Sequence, residues 1–530
     1  MTSRAEPERT PDVDGVRRNA SKRPNRSALS FAGRAQTYLE LDSACDRVAR
    51  SLMRSGLRPG DRIAYLGKNA DVFVELLFGA MRARCVLVPV NWRLTAAEAQ
   101  RVVADSEAAV IFADIAFVSV ASTILAQTAG LTALIAFDPA DPKRGAYPQW
   151  RDGSASGTPL PASEGDDVFL QLYTSGTTGH PKGVLVSRDR YGAHLARQEG
   201  VDLPWMVYEP QDVILNAMPT FHLSGCCPTL DAFWAGAELV LLEEFHPGRV
   251  VDALIDQGVT RTFVVPAALR TLLEDPRLDV KPDLNLRYVG YGASPIAPAL
   301  LQHAIQRLGC QFVHFYGMTE ALTYISALSP LDHDPGLGRR WTSVGRPLPG
   351  LMLRISDDKD SPVESGVLGE IQIRAPFLTS GYWKKPEESA RLFTADGWLR
   401  TGDAGELDDA GFLHIRDRLT DMIISGGENI YPGEIESVLL NHPDVSEAVV
   451  VGIADDRWGE KVIAAIVPTR AALQPEDLRL WLQGRLAPYK QPKAFVLLDA
   501  LPRNGAGKVL KRELRDRLGR PALAAQGAVT

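Results

Sequence analysis

The fold and the candidate function are both anchored in residues 168–183, which read VFLQLYTSGTTGHPKG. The apolar run Val168–Leu172 predicts a buried strand. Tyr173–Gly183 then supplies four Ser or Thr hydroxyls, three glycines and Lys182. Glycine lets several backbone N–H groups approach one anion, while hydroxyls and a lysine add donors and charge. The stretch predicts a polyphosphate-binding loop after a strand. A flexible Ser/Thr/Gly linker is the alternative, which the preceding strand and the Pro-Lys-Gly ending disfavour.

This loop is not a Walker phosphate loop, because the pattern GxxxxGK[ST] occurs nowhere in the sequence. Gly505–Lys508 comes close, but Pro502 stands where the first glycine is needed. The predicted polyphosphate site therefore belongs to another class of loop.

Short apolar runs alternate with helical stretches along most of the chain. Arg62–Leu66 and Ala133–Phe137 are typical of strands, and Phe73–Met81 of a helix. The alternation predicts an α/β fold of layered sheets and helices. A β-rich subdomain follows Asp357, and a second, smaller α+β unit starts near Asp421.

Composition sets the domain organisation and excludes several classes of protein. A chain of 530 residues predicts at least two domains. We expect a flexible arm at 1–28, a large domain at 29–418, a small domain at 422–518 and a flexible tail at 519–530. A net charge of −7 argues against binding nucleic acid through broad phosphate contact.

The cysteines and the N-terminus bear on the compartment. The five cysteines are widely spaced and form no CxxC pair, which disfavours a disulfide framework or a thiolate zinc site. The N-terminus lacks the apolar segment of a secretory signal, and no apolar run reaches the roughly 18 residues of a membrane span. We therefore expect a cytoplasmic protein with reduced thiols and no transmembrane segment.

Seven further motifs follow the glycine-rich loop, in this order: Pro219–His222, Gly290–Ser294, Tyr316–Glu320, Thr401–Asp403, Asp417–Arg418, Ser425–Asn429 and Pro502–Lys508. With these motifs the sequence resembles the adenylate-forming superfamily, which includes acyl-CoA synthetases, firefly luciferase and the adenylation domains of peptide synthetases. The resemblance runs from about Thr37 to about Leu518. It implies a large AMP-binding domain and a mobile C-terminal domain, joined by a hinge at 419–421. Relatives carry Asp or Lys at the pivot, where this chain has Thr420, followed by Asp421.

The resemblance also implies which residues bind ATP and AMP. They are Thr174, Ser175, Gly176, Thr177, Thr178, Gly179, Lys182, Gly292, Ala293, Ser294, Tyr316, Gly317, Met318, Thr319, Asp403, Arg418 and Lys508. Asp403 and Arg418 would contact the ribose, and the small residues after Gly292 would pack on adenine.

Two residues are implied to be catalytic. Glu320 would hold Mg²⁺, which takes few protein ligands besides substrate phosphates. Lys508 would bridge the acyl carboxylate and the α-phosphate, where a cation screens the repulsion between two anions.

The acid and the thiol have separate implied sites. The acyl site would be lined by His222, Ser224, Gly225 and Gly317. His222 is not expected to act as a general base, because the carboxylic acid is already ionised near pH 7. Ser425, Gly426, Gly427 and Glu428 would swing towards coenzyme A when the small domain rotates.

The implied function is an AMP-forming acid–thiol ligase that uses ATP, Mg²⁺ and coenzyme A. The stretches beside His222 and Gly290 hold small uncharged residues, which leave space for an apolar chain or ring, and the lack of Arg and Lys there disfavours a dicarboxylate. A medium- or long-chain fatty acid, and with it a role in lipid metabolism, is the first prediction. An aryl or alicyclic acid is the alternative substrate, and a free carrier protein the alternative acceptor. A catalytically silent nucleotide-binding regulator is disfavoured by the presence of Lys182, Glu320 and Lys508. The predicted partners are small molecules, with a homodimer left open.

Overall fold

The protein is described by a computed structural model that covers residues 11–153, 158–174, 181–279, 283–294, 296–418, 421–425, 428–455, 458–470, 472–503 and 509–519. All statements below concern these residues. The side chains of 417, 418, 428 and 429 lie outside the description.

The strands are numbered in chain order. They are β1 Ser27–Phe31, β2 Arg34–Thr37, β3 Arg62–Leu66, β4 Val86–Val90, β5 Ala108–Asp114, β6 Ala133–Phe137, β7 Val168–Thr174, β8 Lys182–Ser187, β9 Val213–Asn216, β10 Glu238–Leu241, β11 Arg261–Val264, β12 Tyr288–Gly292, β13 Gln311–Met318, β14 Thr323–Leu328, β15 Arg346–Pro347, β16 Met352–Ser356, β17 Gly369–Arg374, β18 Leu399–Leu407, β19 Leu413–Arg418, β20 Ile423–Ser425, β21 Glu428–Ile430, β22 Val445–Asp455, β23 Gly459–Pro468 and β24 Ala494–Leu497.

The α-helices are numbered in the same way. They are α1 Gly15–Lys22, α2 Tyr38–Arg54, α3 Asp71–Arg82, α4 Ala96–Ser106, α5 Val118–Gln127, α6 Tyr147–Asp152, α7 Arg188–Ala196, α8 Leu223–Ala235, α9 Pro247–Asp256, α10 Pro266–Leu273, α11 Pro298–Leu308, α12 Pro386–Arg391, α13 Pro432–Leu440, α14 Pro475–Leu482 and α15 Lys511–Leu518.

Two mainly parallel sheets build the large N-terminal part. One has the strand order β15-β14-β13-β12-β11-β9-β10-β1-β2 and the other β6-β5-β3-β4-β7-β8. Their strands are continuous apolar runs, such as β4, which is buried throughout, because helices cover the sheets. The predicted α/β class is confirmed.

Local sequence explains why the helices begin where they do. Thr37 caps α2, and Glu40 bonds back to the Thr37 backbone, so both ends of the capping box are made. Tyr38, Leu41, Cys45, Val48 and Leu52 recur on one face and are fully buried.

The described part of the predicted N-terminal arm is ordered, so that prediction is wrong for residues 11–28. Val16 on α1 is buried, and Asp14 caps this helix by accepting from the Arg17 N–H. The Asp14 carboxylate also pairs with Arg82 on α3, with Nε and Oδ2 2.8 Å apart. The charged, proline-rich sequence gave no sign of this contact, because Arg82 lies 68 residues after Asp14 in the chain.

A four-stranded antiparallel sheet, β16-β17-β18-β19, forms the predicted β-rich subdomain. The C-terminal part has its own five-stranded sheet, β21-β20-β23-β22 with β24 on β23, and its own apolar core around Ile435 and Val450. A large and a small folded part are therefore confirmed. The exact domain bounds stay predictions.

Candidate active site

The hairpin of β7 and β8 frames the predicted phosphate loop. Thr174 pairs with Lys182 across the hairpin. The loop residues between them, Ser175, Gly176, Thr177, Thr178 and Gly179, lie outside the described residues. A Cβ on Gly183 would lie 2.5 Å from the side-chain Nε2 of Gln171, so a larger residue beside Lys182 would require the Gln171 side chain to move.

Three side chains from distant parts of the chain meet next to this hairpin. The Tyr382 hydroxyl donates to Glu320 Oε1 at 2.8 Å. The Lys182 ammonium lies over the Tyr382 ring, 5.1 Å from its centre. Backbone bonds hold the arrangement, since Trp383 N–H donates to the Gly183 carbonyl at 2.8 Å. Tyr382 thus links the phosphate-loop lysine to the predicted metal-binding carboxylate, and no sequence motif had indicated it.

Glu320 fits a magnesium ligand by its chemistry. It lies in a short 3₁₀ turn, Thr319–Ala321, that follows β13, and its side chain is largely buried. Its Oε2 accepts no hydrogen bond from the described residues, whereas Oε1 is occupied by Tyr382. A buried carboxylate with one open oxygen suits a hard cation that binds oxygen.

The predicted ribose site is partly assembled. Asp403 on β18 is buried and accepts a short hydrogen bond from the Tyr316 hydroxyl. Arg418 is its register partner on β19. The preceding Gly402 has φ of +70°, a left-handed conformation that glycine adopts without strain. Tyr316 therefore orients the carboxylate predicted to meet the ribose.

Glycines keep the predicted adenine edge flat. A Cβ on Gly292 would lie 2.2 Å from the Phe315 carbonyl oxygen, and one on Gly317 would lie 2.6 Å from the Thr323 carbonyl oxygen. Ala293 follows with φ of +67°. Such close backbone packing leaves no room for a side chain at Gly292 or Gly317.

His222 stands directly before α8, and its Nε2 is buried without a hydrogen-bond partner among the described residues. Burial, together with the nearby positive charge of Arg93, lowers the pKa of His222 to about 4. The imidazole is therefore neutral at pH 7. A buried nitrogen without a partner is costly, and a bound substrate oxygen or N–H would satisfy it.

Gly225 does not face open space. A Cβ there would lie 2.3 Å from the Pro219 carbonyl oxygen and 2.7 Å from that of Met218. The glycine lets the first turn of α8 pack on this backbone. A larger residue at position 225 would clash with this backbone. Such a substitution therefore cannot test whether Gly225 lines the acyl site, as the sequence predicted. Ser224 beside it is half-buried.

A cavity opens along one face of the nine-stranded sheet. It is lined by Arg261, Phe263, Tyr288, Gly290, Phe315 and Tyr324. The last two rings are stacked with their centres 4.3 Å apart. Because strand residues two apart share a face, Tyr288, Gly290 and Gly292 form one line from this cavity to the predicted adenine edge.

Polar side chains face the same cavity from the opposite side. Arg197 donates to His194 Nδ1 at 3.2 Å, and His194 Nε2 lies 3.3 Å from the Asp231 carboxylate. Burial lowers the pKa of Arg197 to about 10, although Asp231 counteracts it. Sequence reasoning missed these residues, because they lie outside the motifs and reach the cavity from α7 and α8.

Other predicted site residues lie partly outside the description. Lys508, Gly426, Gly427 and Thr420 are outside the described residues, as are the side chains of Arg418 and Glu428. Ser425 is buried at the end of β20, and Asp421 accepts from Arg515 at 2.8 Å. Arg270 on α10 donates to the hydroxyl and carbonyl oxygens of Ser446, at 2.8 and 3.0 Å, which joins the large and small parts.

Two family models match the chain. The model described as AMP-binding enzyme matches residues 16–383, and its C-terminal domain model matches 434–508. The chain belongs to the AMP-binding enzyme family. The resemblance drawn from the motifs is confirmed.

Relatives of this AMP-binding enzyme act on chemically different acids. It is 38% identical over 501 residues to the fatty acid–[acyl-carrier-protein] ligase ScoC of Streptomyces coeruleorubidus, covering 94% of this chain and 95% of the relative. It is 36% identical over 516 residues to the indoleacetate–CoA ligase of Aromatoleum aromaticum, covering 96% and 99%. These proteins share an acid–thiol ligase reaction, and this AMP-binding enzyme is an AMP-forming ligase of that class.

Solved structures agree in fold. ATP-bound MatB from Rhodopseudomonas palustris matches with a TM-score of 0.87 at 29% identity, covering 97% of this chain and 100% of that one. The o-succinylbenzoate CoA synthetase of Bacillus subtilis, in complex with its acyl-adenylate, matches with 0.82 at 31% identity, covering 95% and 98%. No helix in the described part of this AMP-binding enzyme is long and apolar enough to cross a membrane.

Proposed function

We propose that this enzyme activates an aryl carboxylic acid with ATP and transfers the acyl group to coenzyme A. A carboxylate oxygen attacks the α-phosphorus, and the bond to the β-phosphate breaks to release pyrophosphate. The thiol sulfur then attacks the acyl carbon, the bond to AMP breaks, and the thiol proton passes to solvent. The observation that carries the first step is the meeting of Lys182, Tyr382 and Glu320 beside the phosphate-loop hairpin.

The chain's own residues address the barrier to adenylation. The acid is ionised near pH 7, so the step needs no general base and is opposed by repulsion between anions. Lys182 and, by the sequence resemblance, Lys508 would place positive charge where phosphoryl charge accumulates. Mg²⁺ held by Glu320 would neutralise further phosphate charge. Neutral His222 would approach the acid without adding charge.

The cavity supports an aryl acid over a long fatty acid. Its walls include the aromatic side chains of Phe263, Phe315 and Tyr324, and a planar ring packs well beside such a cluster. The prediction against a dicarboxylate rested on the lack of Arg and Lys in the stretches beside His222 and Gly290, yet Arg197 and Arg261 line this cavity. A fatty acid is the second candidate, favoured by the similarity to ScoC.

The acceptor also has two candidates. Coenzyme A is our proposal, supported by the relatives named as CoA ligases, including the indoleacetate–CoA ligase. A free carrier protein is the second candidate, because ScoC is named as a carrier-protein ligase. A cytoplasmic location and a homodimer stay predictions.

Product analysis with a panel of acids tests the proposal. We expect AMP and pyrophosphate with Mg²⁺·ATP and aryl acids, and an acyl thioester only when coenzyme A is added. Thioester on a phosphopantetheinyl carrier protein but not on coenzyme A would assign the other acceptor. Release of ADP and phosphate would contradict the proposed reaction.

A further inference from the structure

Arg261, the first residue of β11, has donors that none of the described residues pairs with. Its side chain is buried, and its Nε lies 2.8 Å from Asp212 Oδ2. Both terminal nitrogens, Nη1 and Nη2, are buried and lack a hydrogen-bond partner among the described residues. The guanidinium lines the cavity between the rings of Tyr208 and Tyr288, with ring centres 5.4 and 4.9 Å from its carbon. Buried donors of a charged group are expensive to leave unpaired.

Asp212 alone cannot pair with all the N–H donors of Arg261. It already accepts from the Thr260 hydroxyl at 2.7 Å, from the Glu209 N–H at 2.9 Å and from Arg287. One carboxylate is therefore shared by two guanidinium groups. The face of Arg261 that is turned to the cavity keeps spare positive charge and spare donors.

Arg261 marks the end of the cavity away from the predicted nucleotide. Tyr288 pairs with Arg261 across β11 and β12, and Gly292 ends β12 at the adenine edge. At about 3.3 Å per residue, the four-residue rise from Tyr288 to Gly292 spans roughly 13 Å. The rings of Phe263 and Phe315 lie between the two ends. An elongated aryl acid would place its reacting carboxylate at one end and its far substituent near Arg261.

We propose that Arg261 recognises an oxygen acceptor on the acid, on the side of the ring opposite the carboxylate that is activated. Arg261 has donors only, so the group it binds must accept hydrogen bonds, as a phenol oxygen or a second carboxylate does. This inference rests on the proposed function and specifies its substrate class. An Arg261 that merely stacks between two tyrosines would show no such preference.

Matched acids and matched variants test this. Cinnamate, 4-hydroxycinnamate and 4-carboxycinnamate differ only at the far end, and kcat/KM for pyrophosphate release is measured for each. In the native enzyme we expect one or both oxygen-bearing acids to be preferred over cinnamate. Arg261→Gln should reduce that preference about 10- to 100-fold, as loss of a hydrogen bond to a charged group does. The phenol and carboxylate arms distinguish a neutral from an anionic substituent.

Arg287→Gln is the control, because Arg287 donates to the same Asp212 carboxylate but does not line the cavity. It should leave the preference unchanged, whatever it costs in stability. Arg261→Lys keeps the charge and should retain part of the preference. Equal loss for all three acids in Arg261→Gln, or equal loss of preference in Arg287→Gln, would overturn the inference.

A binding measurement separates this inference from the reaction itself. Ligands that bind only the folded protein raise its thermal midpoint. If no acid yields pyrophosphate but oxygen-bearing acids alone raise the midpoint, and Arg261→Gln abolishes that rise, the subsite stands and the proposed reaction fails. If pyrophosphate forms with no preference among the acids, the reaction stands and the subsite fails.

Discussion

At the scale of single residues, Tyr382 connects two groups, Lys182 and Glu320, that the proposed reaction uses. Its hydroxyl fixes one oxygen of Glu320 while its ring lies under Lys182. The carboxylate is thereby held with its other oxygen open. Tyr382 is a positioning residue, since it acts through Glu320 and Lys182.

We expect Tyr382→Phe to raise the apparent Mg²⁺ requirement of pyrophosphate release. A hydrogen bond to a charged group contributes about 1.5–3 kcal/mol, which corresponds to roughly 10- to 150-fold. The measurement is a Mg²⁺ titration at saturating ATP. Tyr147→Phe is the control, because it removes a similar bond, 2.7 Å, to buried Glu75 in the N-terminal core. A shift in Mg²⁺ requirement in both variants would mean a general structural effect.

Lys508→Ala should separate the two half-reactions. This prediction rests on the sequence motif, because Lys508 lies outside the described residues. Loss of one preorganised charge contact commonly costs about 10²–10³ in rate. The loss should fall on adenylate formation, which alone brings carboxylate and α-phosphate together. Single-turnover kinetics of each step is the test, and equal slowing of both steps would contradict the assignment.

At the scale of elements, the start of α8 depends on Gly225. The backbone of Met218 and Pro219 approaches where a Cβ would be. The glycine thus sets the packing of α8 on the segment after β9, and it brings His222 to the helix start.

Gly225→Ala should therefore lower stability rather than change acid preference. Overpacking in a tight core costs about 1–3 kcal/mol, measured as the free energy of unfolding in urea. Gly165→Ala is the control, since its Cβ would make an ordinary contact of 3.5 Å with Asp189. If Gly225→Ala left the stability unchanged but altered the preference among acids, this prediction would be wrong and Gly225 would be assigned to the acyl site.

At the scale of the whole molecule, Arg270 joins the two folded parts through Ser446. The TM-score is 0.87 against ATP-bound MatB but 0.77 against the apo form of the same protein, at 97% coverage in both. The overall arrangement is therefore closer to that of the ATP-bound relative. The Arg270 contact belongs to this arrangement.

Arg270→Ala should slow adenylate formation about three- to tenfold, the effect of a net hydrogen bond of about 0.5–1.5 kcal/mol. Transfer from a supplied acyl-adenylate should not slow, because the family resemblance implies that the small domain has then rotated and the Arg270 contact is broken. Arg307→Ala is the control, since Arg307 bonds only within the large part, to the Asp275 carbonyl oxygen and the Asp279 carboxylate. If Arg270→Ala slowed both half-reactions, the Arg270 contact would not be specific to the arrangement that resembles the ATP-bound relative.

The sequence by itself determined the features that local pattern encodes. The run Val168–Leu172 forms a strand because its side chains are apolar and β-prone, and it extends to Thr174 in the structure. The helical periodicity of α2 is likewise confirmed. The motifs gave the family and the reaction class, because their residue types and order are readable without coordinates. The folded structure of residues 11–28 could not be predicted from local sequence, since Asp14 is held by Arg82, which lies on α3.

Only the tertiary structure decided which side chains meet. Tyr382 reaches Glu320 from 62 residues away, and Arg270 reaches Ser446 from 176. Arg261 lines the same cavity as Phe315 only because β11 and β13 flank β12 in the sheet. Such proximity is set by the packing of distant strands and helices, which no local pattern records. The motifs therefore predicted the ligase class from sequence alone, while the residues from which we infer the chemistry of the acid are brought together only by the fold.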